Sequence, residues 1–542
     1  MKKQRVQKWM MTAVSIALAG MLAACGAAQT GEETTAAAAA ETSTTAAIEE
    51  TTKESAAETT TQAAAQDTTV TDAPQKEEIE ITEEITDSAD NGHAVLADGS
   101  DASYANVKVT KTGDGEGDEA DFYGENAAIL AENGATLTLS EIVVETDGTH
   151  ANAVFSYGEG TTVNISDSVI ETSGNCSGGL MTTGGGTMNA SNLMIHTTGN
   201  SSAAIRSDRG GGTVNVTGGS YTTDGKGSPV IYSTADITVS DAVLTSTASQ
   251  GVVVEGKNSV TLQNVTLTAD NNTKNSDKSA WYQAVMIYQS MSGDAAEGKA
   301  SFTMEGGSLT NKNGDIFFVN NTVADITLKG VTIINEDADG VFLRAAAAGW
   351  GSEGSNGGKV NLYASAQEIN GDIAVDSVSA VNVYLSDGST MSGAVTLEDG
   401  GEVYVEIESG SKWTLTGDSY ITALTADADA IDLNGYHLYV GGVEYTEGSE
   451  SRGSAVSLAS ASESKGGHSS ESGKSSGKSS EASESGEKSG SKKDASAGSE
   501  KSSGEKTGGH SSGSSDHSRK SGGRHSSESG ESESETETED QN

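Results

Sequence analysis

Ala128-Ile129-Leu130, Thr136-Leu137-Thr138-Leu139 and Val143-Val144-Glu145-Thr146 make up one phrase, and that phrase decides the fold because it returns. Ala153-Val154-Phe155, Thr162-Val163-Asn164-Ile165 and Val169-Ile170-Glu171-Thr172 repeat it in the same order. Further copies open at Gly179-Leu180, Ala204-Ile205, Val230-Ile231 and Val252-Val253. The period is about 25 residues, the size of a solenoid unit that cannot bury a core alone and must stack on its neighbours.

Within each unit the apolar residues alternate with polar ones over short β-branched runs. Examples are Val214-Asn215-Val216, Ile237-Thr238-Val239, Ile326-Thr327-Leu328 and Val381-Asn382-Val383. Period two with one apolar side specifies a strand, and no segment carries a sustained helical period. Three strands per unit, parted by Gly, Asn, Asp and Ser, suit a single-stranded right-handed parallel β-helix. The six-residue rhythm of the left-handed form is absent. About a dozen coils stacked at about 4.8 Å give a rod of roughly 55 Å. Such coils need few large side chains, in keeping with 4% aromatics and 67 glycines in 542 residues.

Equivalent places in successive coils predict the interior. Leu130, Phe155, Leu180, Ile205, Ile231, Val253, Met286, Phe318 and Leu343 are expected to stack as one inward apolar ladder. Small residues precede it (Ala128, Ala153, Gly178, Ala203), and Thr146, Thr172, Thr197 and Thr223 recur as a hydroxyl ladder.

The helix domain is read as 89–448. Residues 1–24 read as a signal peptide: Lys2, Lys3, Arg5 and Lys8 precede an apolar stretch, Met10 to Met21, too short to span a bilayer comfortably. Residues 25–88 are Ala, Thr, Glu and Gln with few large apolar groups, a composition expected to stay disordered as a tether. Sixty such residues span on the order of 45 Å. Residues 449–542, rich in Ser, Gly, Lys, Glu and His, read as a second disordered tail. Gly509-His510-Ser511-Ser512-Gly513 formally matches a nucleophile elbow, but nothing around it can form the strand-turn-helix which that motif needs. Cys176 reads as a small turn residue. The net charge of -47 sets the surface against nucleic acid and favours cations or basic partners.

Two resemblances rest on these residues. Leu22-Ala23-Ala24-Cys25 resembles the lipobox of bacterial lipoproteins, which implies cleavage before Cys25, acylation of its sulfur (palmitate among the chains) and anchoring at the cell membrane. More than one acyl chain is needed for stable anchoring. The coils of 89–448 resemble the pectin-lyase-like superfamily, and more closely the adhesin-like β-helix proteins of bacterial surfaces. Gly410-Ser411-Lys412-Trp413-Thr414-Leu415-Thr416-Gly417 looks like the last coils of autotransporter passengers. That similarity implies an extracytoplasmic, surface-exposed rod. The chain departs from it by ending in a Ser/Gly tail where an autotransporter has a membrane barrel, and the clustered aspartates and Gly-His-Gly turn of pectin-degrading members are not found in register.

From the fourth coil onward, polar groups follow the ladder position: Arg206, Asp208 and Arg209; Tyr232; Glu255 and Lys257; Tyr288 and Gln289; Asn320; Arg344. Stacked coils would align them as a polar strip able to hold sugars and their carboxylates, or simply as a solvated face. Overlong coils near 270–283, 289–300 and 345–358 carry Trp281 and Trp350, which either platform a pyranose ring or fold down as a lid. Asp114, Glu116, Asp118 and Glu125 approach calcium-loop spacing, but Glu119 stands where an EF-hand needs Gly. No zinc spacing, dinucleotide loop or triad is present. The leading expectation is a lipid-anchored, adhesin-like surface protein that binds a glycan or surface protein without catalysis. The alternatives are a lyase or glycoside hydrolase acting on acidic polysaccharide, with Arg206 as base and Asp208 or Glu255 as acid or metal ligand, and a purely structural spacer.

Overall fold

A computed structural model describes residues 74–274 and 276–458, and they form a parallel β-helix. The predicted signal peptide, Cys25 and nearly all of the predicted tether and tail lie outside the described residues. Each coil contributes a strand to each of three faces. In the unit quoted first, Ile129–Glu132 belongs to the second face, Thr136–Ser140 to the third and Val143–Thr146 to the first. The first face has 10 strands, the second 12 and the third 14, each strand pairing with its counterpart one coil away. The second-face count matches the dozen coils read from the repeat.

The first rungs begin inside the segment read as tether: Glu83–Asp87 pairs in parallel with Val107–Lys111. At the other end, Ser451–Arg452 reverses direction and pairs antiparallel with Thr425 and Ala426, the last parallel rung of the third face. Beyond it, Val456 exchanges two hydrogen bonds with the Asn382 side chain, 3.2 and 2.9 Å. The strand Val443–Glu444 likewise folds back antiparallel on Leu438–Val440.

The hydroxyl ladder is present. Thr146, Thr172, Thr197 and Thr223 pair in register and are buried. Thr172, Thr197 and Thr223 donate to the carbonyls of Ser177, Ser202 and Ser228 at 2.6, 2.6 and 2.7 Å, which closes the turn that follows each strand.

The predicted apolar ladder is corrected. Leu180, Ile205 and Ile231 do stack, but the next rung is Val252, not Val253. The inward column runs Ile129, Val154, Leu180, Ile205, Ile231, Val252, Val285, Phe317, Leu343. Leu130, Phe155, Val253, Met286 and Phe318 occupy the adjacent column, which points to the outside of the second face. They belong to two apolar clusters separate from the main core. A one-residue shift along a strand reverses the side a residue faces. These outward residues are buried all the same, because the chain covers them.

Candidate functional site

Three segments cover the outside of the second face. The first is a six-residue helix, Gly117–Phe122, formed where the sequence suggested only an acidic turn. Phe122 is buried against the rod, its carbonyl accepts the Thr183 hydroxyl at 2.6 Å, and buried Asp121 pairs with His150 at 2.8 Å. Leu130, Phe155 and Met181 form one cluster on this part of the face. Gly124 closes the helix at φ +79°, where a Cβ would lie 2.9 Å from Leu130, so both backbone and space require glycine there.

The acids proposed for calcium are spent separately. Asp114 accepts the Thr149 amide at 2.8 Å, Asp118 pairs with Arg209 at 3.1 Å, Glu116 stands at the N-cap position of the helix without a side-chain capping bond, and Glu125 is exposed. Among the described residues no three His, Cys, Asp or Glu side chains gather as a metal centre.

The second cover is the overlong coil 345–358. Trp350 is only 1% exposed and meets Tyr288 edge-on at 5.2 Å, so it is a lid and not a sugar platform. Asn320, expected in a binding strip, instead holds this loop through the carbonyls of Ala346 and Asn356, 2.9 and 2.8 Å. Trp281 is half-buried, packs on Phe318 at 5.3 Å and lies under the Arg344 guanidinium. Arg344 is forked onto Asp315 at 2.6 and 3.2 Å.

The third cover is the loop 289–298. The Gln289 amide donates to Ser290 and Ala295 within it, and Lys257, itself exposed, binds the Ala296 carbonyl through its backbone. Asp294 of this loop reaches Arg209 at 2.9 Å. Arg209 stacks over Phe122 at 3.8 Å and also holds Asp118, so one side chain ties the helix to the loop. Burial works against its charge, but the bonds to Asp294 and Asp118 outweigh that and raise its pKa.

Between and beneath the covers lie the buried polar groups. Arg206 and Asp208 pair at 2.7 Å with 4% and 0% side-chain exposure. The Glu255 Oε2 accepts the hydroxyls of Tyr232 and Tyr288, the latter at 2.9 Å. Burial pushes the Asp208 carboxyl up to about 6 against the pull of Arg206, with Asp294 and Glu255 adding to the rise. Burial likewise raises Glu255, opposed by hydroxyls of Ser290, Tyr232 and Tyr288. It also raises both phenols well above their ordinary range, with the Glu255 charge adding to it. Burial opposes the charge of Arg206 too, yet Asp208 and Asp121 more than compensate and keep it protonated.

The expected strip is therefore not continuous. Arg206, Tyr232 and Arg344 share one outward column, but Val253, Met286 and Phe318 separate Tyr232 from Arg344. Glu255, Tyr288 and Asn320 occupy another column, two residues further along the strands. On this face Arg206, Tyr232, Val253, Met286 and Tyr288 line a cavity of about 50 Å³ together with a rim of turn residues, Ser201, Ala203, Gly227, Pro229 and Gln250. Sequence reading missed this rim and the partners Asp294 and Asp315. The rim residues sit in equivalent turns of successive coils, so the repeat carried the signal.

The fold and cavity define a class, a parallel β-helix with a small mixed polar and apolar cleft on one covered face. No protein-family model matches the chain, and neither does any curated protein or solved structure. Among the described residues no helix is long and apolar enough to cross a membrane.

Proposed function

We propose that this is a lipid-anchored, adhesin-like surface protein whose β-helix binds a glycan, without catalysis. The observation that carries the reading is the cavity on the outside of the second face. It is lined by Arg206, the rings of Tyr232 and Tyr288, and Gln250, beside the apolar flanks of Val253 and Met286. Hydrogen-bonding groups next to apolar flanks match a sugar, which offers hydroxyls around its edge and C–H groups on its faces. The guanidinium favours a sugar bearing a carboxylate. The resemblance of the coils to pectin-lyase-like and adhesin-like helices, and of the leader to a lipobox, points the same way.

A glycan array probed with the full chain tests this. Arg206→Ala and the milder Gln250→Ala should each lose about tenfold or more in signal with the fold retained. An unchanged profile for Gln250→Ala and Met286→Ala would overturn the cleft. Labelling with a palmitate analogue, lost in Cys25→Ser, tests the anchor.

The raised carboxyls of Asp208 and Glu255 favour a second reading, in which one of them serves as a proton donor to an acidic polysaccharide. Arg206, held protonated, would clamp the uronate carboxylate in that reading and not act as base. New absorbance of unsaturated products or new reducing ends from polyuronates would establish catalysis. Their absence with array binding retained would leave a binding protein, and the absence of both would leave a spacer.

A further inference from the structure

On the third face the outward positions of four neighbouring strands stand in register. Strand by strand, one row runs Thr136, Thr162, Thr187, Thr213; the next Thr138, Asn164, Asn189, Asn215; the third Ser140, Ser166, Ser191, Thr217. Every one of these groups is a hydroxyl or an amide, each is at least partly exposed, and the residues between them point into the core. In a chain of net charge -47, this array carries neither an acid nor a base. Acids stand only at its borders: Asp236 is the rung beyond Thr213, Asp101 accepts the Thr136 amide at 2.9 Å, and Glu141 and Asp167 lie in the corner turns.

We propose that this array is a docking surface for the ordered surface of an uncharged polysaccharide, separate from the cleft and independent of it. The strand spacing of about 4.8 Å and the two-residue step of roughly 7 Å set a fixed lattice of groups that both donate and accept. The amides are held in plane by their own ladder: Asn215 donates to Asn189 and Asn189 to Asn164, both at 3.0 Å. Each donating amide keeps a second N–H for a partner. Because strand pairing already orders the array, binding to it loses little side-chain freedom. A polyanion is disfavoured by the net charge, a polycation finds no acid within the array, and an apolar partner finds no exposed apolar side chain there. A periodic sheet of neutral hydroxyls fits what remains.

Depletion of the full chain from solution by microcrystalline cellulose and by chitin particles tests the proposal. Saturable retention on either solid is expected, little changed in about 1 M salt, because the contacts are not ionic. Asn189→Asp, and Ser191→Asp as a variant outside the amide ladder, should each lower the partition constant about tenfold by placing a charge that must be desolvated. Thr245→Asp on the first face should not, and neither should Gln250→Ala in the cleft. Circular dichroism melts confirm that each variant is folded. Failure of both solids to retain the wild type, or equal retention of Asn189→Asp and Ser191→Asp, would overturn the proposal. So would a concentration-dependent increase in mass abolished by Asn189→Asp, which would give the face to a second copy of the chain. A glycan-array result that fails while solid retention stands would reject the cleft and leave this face intact.

Discussion

The second and third faces are built from the same short strands at the same spacing, yet the second is covered while the third, over the strands from Thr136–Ser140 to Ser259–Gln263, is bare. On the third face, over the strands from Thr136–Ser140 to Gly212–Thr217, the outward residues are Thr, Asn and Ser, which water or a partner satisfies directly. On the second they include Phe155, Met181, Met286 and Phe318, and over those residues the chain lays a helix and two long loops. Apolar surface on both sides of a strand has to be buried on both sides. The covers also take Arg206, Asp208 and Glu255 out of water, and the shifted carboxyls follow from that. In this solenoid the outward column decides where insertions fall, and hence where a cavity can form.

Substitutions can break or sharpen that contrast. Ile205→Asp, inward on the second face, should cost about 4 kcal/mol or more and remove cooperative urea unfolding at 25 °C. Trp350→Ala should cost about 3 kcal/mol, concentrated in the cover. Hydrogen exchange should quicken in 289–298 and 346–358 while the third-face strands keep their protection. Equal quickening of both faces would mean that the cover is integral to the rod.

A smaller effect appears only in pH dependence. The folded Asp208 pKa, about 6, lies above the unfolded value, so the native state binds the extra proton. That contribution is fully present below about pH 4 and is lost as pH rises through about 6. The wild type should therefore gain stability from this group on acidification across that window. Asp208→Asn should lack the gain, as paired denaturation midpoints would reveal. The smallest effect belongs to the bare face: Thr261→Val there should change stability by less than about 0.5 kcal/mol.

The period, the three strands per coil and the threonine ladder were all legible in the sequence, because each depends on alternation that only one face could produce. The register of the second face was not. In Val252-Val253-Val254 and Ile316-Phe317-Phe318 both sides of the strand are apolar, so period two vanishes and a one-residue error carries no penalty in the pattern. The site residues were found as a set, since the polar groups after each ladder position are plain in the chain. Their pairing was not, since Asp294 and Asp315 reach Arg209 and Arg344 from other coils. The short helix left no periodic trace over its six residues.

The reversed strand at Ser451–Arg452 and the turn-back at Val443–Glu444 have a consequence for assembly. A stack of identical rungs has no intrinsic last member, and a naked final strand is a template on which another molecule can continue the stack into a fibre. Opposed polarity at both places interrupts that growth with only a few residues. Deleting them should turn a discrete particle into a self-propagating one.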